Sequence, residues 1–231
     1  MPIFQNAVFH TTVASLRDLP VDSLREIAFA GRSNAGKSSA INALANHTRL
    51  AHVSKMPGRT QHLNYFRLTE GKYFVDLPGY GFAKAPGEIR SQWEGLLTPY
   101  LQHRAVLIGL VLIMDIRHPL TELDLQMIGW FMQTEKPIHI LLSKSDKLTH
   151  QAQKSTLREV ESAMAKLGNF CTVQLFSSTK KTGIAEAETI LAGWLDMELK
   201  NIPPPARLHS EKTVRRKNRK SIGWSARNAK K

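Results

Sequence analysis

The sequence predicts an α/β fold in three layers, with helices on both faces of a mostly parallel sheet. Apolar runs of strand length alternate with amphipathic stretches of helical spacing from about residue 25 onward. Such alternation favours parallel strands joined by right-handed helical crossovers. Two of the runs, 63–69 and 72–76, are separated only by "EG", which predicts a hairpin. The predicted sheet is therefore six-stranded, with one antiparallel edge hairpin strand.

The elements follow one another in a regular order. The predicted strands are 26–30, 63–69, 72–76, 106–116, 137–146 and 171–178. The predicted helices are 36–47, 89–101, 121–134, 151–167 and 183–199. The strand 106–116 is apolar along nearly its whole length, as is typical of a strand buried on both faces in the middle of a parallel sheet. Thr121 is a suitable N-cap for the helix that follows it.

The composition narrows the class of protein. No apolar run approaches the ~20 residues that a membrane-spanning helix requires. Residues 1–10 lack the basic segment and apolar stretch of a secretory signal. Cys171 is the single cysteine, which excludes an intrachain disulfide and a cysteine-based zinc site. We therefore expect a cytoplasmic protein without membrane insertion, and we interpret Cys171 as a small strand residue rather than a nucleophile.

The positive charge is concentrated near the C-terminal end. Of the formal net charge of +13, residues 201–231 carry +9, from ten Lys or Arg and one acid, Glu211. This segment has no apolar periodicity and contains "PPP" at 203–205, near its start, so we expect it to be disordered when unbound. We divide the chain into an N-terminal extension (1–21), an α/β domain (22–200) and a basic tail (201–231).

The basic tail favours a nucleic-acid partner. Clustered Lys and Arg bind polyanions by releasing counterions, and Trp224 is able to stack on a base. A membrane surface fits less well, because a membrane-bound helix requires an apolar face. The alternative is a solubilising tail that has no partner.

The loop after the first predicted strand carries the strongest motif. "GRSNAGKS" (31–38) matches G-x-x-x-x-G-K-[ST] in full, between a predicted strand and a predicted helix. Backbone N–H groups of such a loop surround phosphates, and the helix dipole favours negative charge. We expect Lys37 to reach the β- and γ-phosphates and Ser38 to place its hydroxyl on Mg²⁺. The motif predicts a P-loop NTPase, and the alternative is a glycine turn before an ordinary helix. The predicted phosphate-binding residues are Gly31, Arg32, Ser33, Asn34, Ala35, Gly36, Lys37 and Ser38.

A second loop follows the strand that ends at Asp76. A single acid there, followed by Pro78, Gly79 and Gly81, is explained either by a simple turn or by a nucleotide site. In a P-loop fold such an acid contacts the Mg²⁺ shell, usually through water. Gly79 would present its N–H to a γ-phosphate oxygen with no side chain in the way. A loop that closes on this phosphate works as a switch.

Two later loops indicate which base is bound. The carboxylate of Asp146, in "SKSD" (143–146), accepts from guanine N1–H and its exocyclic amine, a donor pair that adenine lacks. The stem of Lys144 is placed to cover the base, and "FSS" (176–178) sets a serine N–H near guanine O6. K-x-D alone is a weak signal, but it becomes strong at the end of the appropriate strand. The predicted base-binding residues are Ser143, Lys144, Ser145, Asp146, Phe176, Ser177 and Ser178.

Four loops in this order resemble those of the Ras-like, translation-factor-related GTPases. The motifs of this chain resemble those of the EngB family (also called YihA or YsxC), and the resemblance covers residues 22–198. The motifs that carry it are "GRSNAGKSS", "PGRTQ", "DLPGYGFA" and "FSS". The resemblance implies a bacterial GTP- and GDP-binding protein with Mg²⁺ as cofactor. It also implies a role in assembly of the large ribosomal subunit, with ribosomal RNA as the target of the basic tail. The family is needed for normal cell division and septation.

The resemblance further implies two switches. "GRTQH" (58–62) is the first, with Thr60 as a second Mg²⁺ ligand beside Ser38; a solvated loop threonine is the alternative. The second switch runs from Asp76 to Gly79. The residues implied in these contacts are Gly58, Arg59, Thr60, Gln61, His62, Asp76, Leu77, Pro78 and Gly79. Among all the predicted site residues, we expect Lys37, Thr60 and Gly79 to serve catalysis.

Ser143 departs from the family pattern. The base-reading motif of most GTPases begins with Asn, and EngB proteins usually have Thr at this position. An Asn amide at this position is able to tie the base loop (143–146) to the phosphate loop (31–38), and this amide is absent here. Guanine specificity is expected to survive through Asp146, with weaker affinity.

Tyr80 replaces the glutamine that orients the attacking water in Ras. A phenol lacks the paired donor and acceptor of an amide, so we expect slow intrinsic hydrolysis. Packing beneath the switch is the simpler role for Tyr80. Related GTPases with Asn at the position of Asn34 use a potassium ion in place of an arginine finger. We therefore expect K⁺ or the ribosomal partner to accelerate hydrolysis, with Asn34 as a K⁺ ligand or, more simply, a turn residue that tolerates positive φ.

Two functions from different classes remain open. The first is a GTP-hydrolysing switch in large-subunit assembly. The second is a nucleotide-gated rRNA-binding module with negligible hydrolysis. A P-loop kinase is a distant third, because it would need an acceptor-binding lid and would not explain K-x-D. We expect a monomer.

Overall fold

The computed structural model describes residues 2–51, 62–81, 93–168 and 170–197, and these residues form a seven-stranded sheet with helices. The strands are β1 (Val8–Val13), β2 (Arg25–Gly31), β3 (Leu63–Thr69), β4 (Lys72–Asp76), β5 (Leu107–Asp115), β6 (Ile138–Ser143) and β7 (Cys171–Leu175). The α-helices are α1 (Lys37–Leu44), α2 (Thr98–His103), α3 (Glu122–Met132), α4 (His150–Ala165) and α5 (Ile184–Trp194). Shorter helical turns are Leu16–Asp18, Trp93–Leu97 and Ser145–Lys147.

The strand order is β1-β3-β4-β2-β5-β6-β7. β3 pairs antiparallel with both β1 and β4, whereas the other four pairs are parallel. The α/β class and the hairpin of β3 and β4 are confirmed, and the hairpin bounds agree with those predicted.

The sheet contains one strand more than the six predicted. β1 lies within the segment that the sequence led us to interpret as an N-terminal extension. Its first three residues are exposed and only Val13 is buried, so the sequence carries no period-2 signal for a strand. Backbone pairing holds it to β3, and Val13 lies opposite Leu63. The edge strand is therefore β1, and β3 lies inside the sheet.

The two faces of the sheet pack against different helices, which gives the three predicted layers. Buried residues of α2, α3 and α4 cover one face: Tyr100, Leu101, Met127, Ile128, Phe131, Val160 and Met164. Buried residues of α1 and α5 cover the other: Ala40, Ile41, Leu44, Ala187, Leu191 and Ala192. β5 is buried on both faces along nearly its whole length, as its continuous apolar run predicts.

The start of α3 confirms the predicted cap. The Thr121 hydroxyl accepts from the Asp124 N–H at 3.4 Å, and the Asp124 carboxylate accepts from the Thr121 N–H at 3.0 Å. This reciprocal pair is a capping box. No helix in the described ranges has both the length and the apolar character needed to cross a membrane.

The carboxyl ends of the parallel strands meet at one edge of the sheet. Asp76 of β4 lies opposite Phe29 of β2, and Ile113 of β5 lies opposite Gly31. β2 and β5 approach so closely there that a Cβ on Gly31 would lie 2.8 Å from the Ile113 carbonyl oxygen. Glycine therefore lets the loop after β2 leave the sheet directly beside the end of β5.

Candidate functional site

The phosphate loop joins β2 to α1. Asn34 has φ 64° and Gly36 has φ 106°, left-handed values that Asn and Gly adopt most readily. The Gly36 carbonyl accepts from Ala40 N–H at 2.9 Å, which starts the first turn of α1. Lys37 is the first residue of α1, where the helix dipole favours an anion. The positive φ of Asn34 agrees with the turn role, and its role as a K⁺ ligand stays a prediction.

Asp76 and Lys37 form an ion pair across the phosphate loop. Their side chains are only 10% and 11% exposed, so each compensates a charge that burial would otherwise penalise. Leu77 N–H donates to the Phe29 carbonyl at 3.0 Å and extends the pairing of β4 with β2. The Ser38 hydroxyl, next to Lys37, and the Asp76 carboxylate are oxygen donors of the kind that Mg²⁺ prefers.

The loop after β4 is hydrogen-bonded to the phosphate loop. Ser33 N–H donates to the Tyr80 carbonyl at 2.8 Å, and Tyr80 N–H donates to the Gly31 carbonyl at 3.3 Å. A Cβ on Gly79 would lie 3.4 Å from Ser33 Cα. The two loops that the sequence assigned to phosphate binding therefore lie in direct contact.

The Tyr80 side chain is directed toward α3. It is 3% exposed, and its hydroxyl donates to Asp124 Oδ1 at 2.6 Å. Burial, reinforced by the Asp124 charge, raises the pKa of the Tyr80 hydroxyl well above its ordinary value. The other Asp124 oxygen accepts from the Thr121 N–H and hydroxyl. The phenol thus anchors the loop after β4 to the capping box of α3, in agreement with the packing role.

Two bonds tie the base loop to the phosphate loop. The Ser143 hydroxyl donates to the Ala35 carbonyl at 2.5 Å and also lies 3.0 Å from the Met114 carbonyl. The Lys144 ammonium donates to the Asn34 carbonyl at 2.6 Å. The two loops are therefore tied without an amide side chain, because the shorter serine side chain reaches the Ala35 carbonyl directly.

Beside these ties lies a cavity of about 230 Å³. Its walls are Gly36, Ser39, Ser143, Lys144, Asp146, Lys147, Phe176, Ser178 and Thr179. Most of these residues were selected from the sequence. Ser39, Lys147 and Thr179 were missed, although each directly follows a residue of one of the selected motifs.

Ser177 fixes the orientation of Asp146. The buried Ser177 hydroxyl donates to Asp146 Oδ1 at 2.6 Å, and this bond lowers the pKa of the Asp146 carboxyl below its ordinary value. Ser145 N–H donates to the Phe176 carbonyl at 3.1 Å and joins the same two loops through the backbone. The carboxylate is thereby held at the wall of the cavity as an acceptor.

Asp115, which ends β5, was not selected from the sequence. Its carboxylate accepts from Lys144 at 3.0 Å and from Arg117 at 2.6 Å. A signal was present in the sequence, because an acid stands directly after a long apolar strand in "IMDIR".

Part of the predicted first switch lies outside the described residues, namely Gly58, Arg59, Thr60 and Gln61. His62 is described and is exposed, and it does not line the cavity that Asp146 lines. It lines a second cavity of about 480 Å³, together with Pro78 and residues 95–97.

Comparison with known proteins decides the family. A family model described as a 50S ribosome-binding GTPase matches residues 26–144. A protein of Dechloromonas aromatica (strain RCB), named probable GTP-binding protein EngB, is 67% identical over 210 residues, which cover 89% of this chain and 96% of the relative.

This chain belongs to the EngB family of GTP-binding proteins. The EngB protein of Aromatoleum aromaticum is 58% identical over 213 residues, covering 91% of this chain and 99% of the relative. A crystal structure of a probable GTP-binding protein engB matches with a TM-score of 0.58 and 19% identity, over 74% of this chain and 98% of that one. This last likeness supports the fold, and the resemblance stated from the motifs is confirmed.

Replacement of Tyr80 separates packing from chemistry. We expect Tyr80→Phe to lower the free energy of unfolding by about 2 kcal/mol, because a buried hydrogen bond to a carboxylate is lost. The rate of GTP hydrolysis per folded molecule should not change, because the phenol points to α3. Urea denaturation and phosphate release measure the two quantities.

Tyr73→Phe is the matched control. The Tyr73 hydroxyl donates to Asp22 Oδ2 at 2.8 Å, and Asp22 is exposed, so its loss should cost less than about 1 kcal/mol. A Tyr80→Phe chain of unchanged stability that hydrolyses GTP more slowly would show that the phenol takes part in hydrolysis.

Proposed function

We propose that this chain binds GTP and GDP with Mg²⁺, hydrolyses GTP slowly and acts as a switch in assembly of the large ribosomal subunit. We propose further that the chain is necessary for normal cell division and septation. The observation that carries the proposal is the junction of base loop and phosphate loop through Ser143 and Lys144. Because the base cavity and the phosphate loop are contiguous at this junction, a single nucleotide is able to occupy both.

Guanine is the base that this cavity is built to accept. Asp146 offers a carboxylate whose orientation is set by Ser177. Such a carboxylate pairs with the N1–H and the exocyclic amine of guanine, and it meets no such donor pair on adenine. Lys144 and Phe176 stand in the same wall and contribute apolar surface to the base.

The phosphates bind at the start of α1. Lys37 exchanges its contact with Asp76 for the β- and γ-phosphates, which leaves the Asp76 carboxylate available to the Mg²⁺ shell. Ser38 and Thr60 would hold the ion directly and Asp76 through water, and a bound ion would supply positive charge to the phosphates. Gly79 supplies its N–H to the γ-phosphate, so the second switch senses whether this phosphate is present.

Hydrolysis needs a contribution that the second switch does not make. Tyr80 is committed to Asp124, and a phenol lacks the amide's paired donor and acceptor. We propose that a K⁺ ion held near Asn34, or the ribosomal partner, supplies the missing stabilisation. Asn34 is exposed at the turn of the phosphate loop, where a monovalent cation has access.

The ribosomal role rests on the family and on charge. The matching family model is described as a 50S ribosome-binding GTPase, and residues 201–231 carry a net charge of +9. We propose that this tail binds rRNA by neutralising phosphates, with Trp224 stacking on a base. The chain would act as a monomer in the cytoplasm.

A nucleotide-gated rRNA-binding module with negligible hydrolysis is the second candidate. The contact of Tyr80 with Asp124 favours it, because the position after Gly79 then offers no group to the attacking water. In that case the nucleotide state alone would control binding to the ribosomal particle.

Multiple-turnover GTP hydrolysis distinguishes the two candidates. We expect slow turnover by the chain alone in NaCl and acceleration by KCl, by large ribosomal subunits, or by both. We expect an increase of about tenfold or more, which is below the ~10³–10⁵ that an arginine finger contributes in related enzymes. The variant Lys37→Met is the control that measures GTP hydrolysis by contaminating enzymes. Equal, negligible rates in NaCl, in KCl, with large ribosomal subunits and with KCl and subunits together would favour the binding module.

Removal of the tail tests the RNA contact. Deletion of residues 204–231 should weaken co-sedimentation with large subunits and flatten its salt dependence, because fewer phosphates are neutralised. Trp224→Ala keeps the charge and should weaken binding without changing the salt slope. Unchanged binding of the truncated chain would contradict an rRNA role for the tail.

A further inference from the structure

Asp115 lies at the end of β5 and is surrounded by donors. Its Oδ1 accepts from the backbone N–H of Arg117 at 3.1 Å and from Arg117 Nε at 2.9 Å. Its Oδ2 accepts from Arg117 Nη2 at 2.6 Å and from Lys144 Nζ at 3.0 Å. A carboxylate with four donors in place is fixed in both position and orientation.

The environment keeps this carboxylate ionised. Burial alone would raise the pKa of Asp115, but the hydrogen bonds from Arg117 and Lys144 outweigh burial and hold the pKa well below its ordinary value. Arg117 approaches from the solvent side, with a side chain 45% exposed, whereas Lys144 approaches from the base cavity. Asp115 therefore separates two cations and anchors both of them.

Lys144 is the pivot between the two halves of the nucleotide site. Its backbone has φ 58°, a left-handed value that is unusual for a lysine. Its ammonium donates to the Asn34 carbonyl of the phosphate loop as well as to Asp115. One ammonium thus connects three segments: the base loop, the phosphate loop and the end of β5.

We propose that Asp115 is a positioning residue for the guanine nucleotide and acts through Lys144. It holds the ammonium on the Asn34 carbonyl, so that the aliphatic stem of Lys144 stays in the wall of the base cavity. The inference rests on the proposed nucleotide-binding function and deepens it. It assigns to the acid of "MDIR" a role in retention of the nucleotide.

Loss of the Asp115 charge should affect the ligand more than the fold. A neutral residue at this position leaves Lys144 and Arg117 as two neighbouring cations without the anion that separates them. The ammonium then loses one of its two anchors and the stem leaves the wall of the cavity. A purely structural role would instead reduce stability without any dependence on Lys144.

A double-mutant cycle on dissociation of fluorescent GDP tests the inference. The full chain is compared with the variants Asp115→Asn and Lys144→Met and with the double variant. In each case, excess unlabelled GDP displaces the bound fluorescent GDP. Each single variant should release GDP about tenfold faster, which corresponds to about 1.4 kcal/mol, because the hydrogen bond between the charged groups of Asp115 and Lys144 is lost. The double variant should release GDP no faster than Lys144→Met alone. Asp18→Asn and Lys154→Met, at exposed positions, are the matched controls and should behave as the wild type.

Two results would overturn the inference. The first is a GDP dissociation rate of Asp115→Asn equal to that of the wild type. The second is a double variant whose rate increase is the product of the two single increases. If Asp115→Asn does not fold, Asp115→Glu keeps the charge but displaces the carboxylate by one methylene. Asp115→Glu should accelerate GDP dissociation to a similar extent. A dissociation rate of this variant equal to that of the wild type would overturn the inference. A wild-type chain that does not retain GDP would overturn the proposed function itself, and the inference with it.

Discussion

The parallel pairing of β2 with β4 and β5, and of β5 with β6, determines where the loops of the site lie. The pairing aligns the carboxyl ends of these strands, so that their loops emerge side by side. Gly31 marks the tightest point, since a Cβ there would lie 2.8 Å from the Ile113 carbonyl oxygen. The contacts between loops follow from this alignment: Ser33 with Tyr80 through the backbone, and Ser143 with Ala35 through a side chain.

The charges at this edge are arranged in pairs. Lys37 pairs with Asp76, and Lys144 pairs with Asp115. Buried or half-buried charges are tolerated when each has a partner. The two pairs have different roles in the proposed function, because a polyanionic ligand would take Lys37 away from Asp76. Lys144 would keep its partner and hold the wall of the base cavity, so that one pair responds to the ligand and the other prepares its site.

The sequence allowed the local features to be predicted, but not those that depend on distant residues. Hydrophobic periodicity identified β2 to β7, and short-range chemistry identified the cap at Thr121 and the phosphate loop. β1 could not be predicted because backbone pairing, rather than an alternating pattern, holds it to β3. The Tyr80–Asp124 bond joins residues 44 positions apart, and the Ser143–Ala35 bond spans 108. Such contacts depend on tertiary packing, which a single sequence does not contain.

The central claim is that Asp146 selects guanine in a site shared with the phosphate loop. The most direct test compares binding of GDP and xanthosine diphosphate to the wild type and to Asp146→Asn. Xanthine carries a carbonyl oxygen in place of the exocyclic amine, so it repels a carboxylate and accepts from an amide. The wild type should prefer GDP, and Asp146→Asn should prefer xanthosine diphosphate. A variant that still prefers GDP as strongly as the wild type would contradict the assignment of Asp146 and of the cavity it lines.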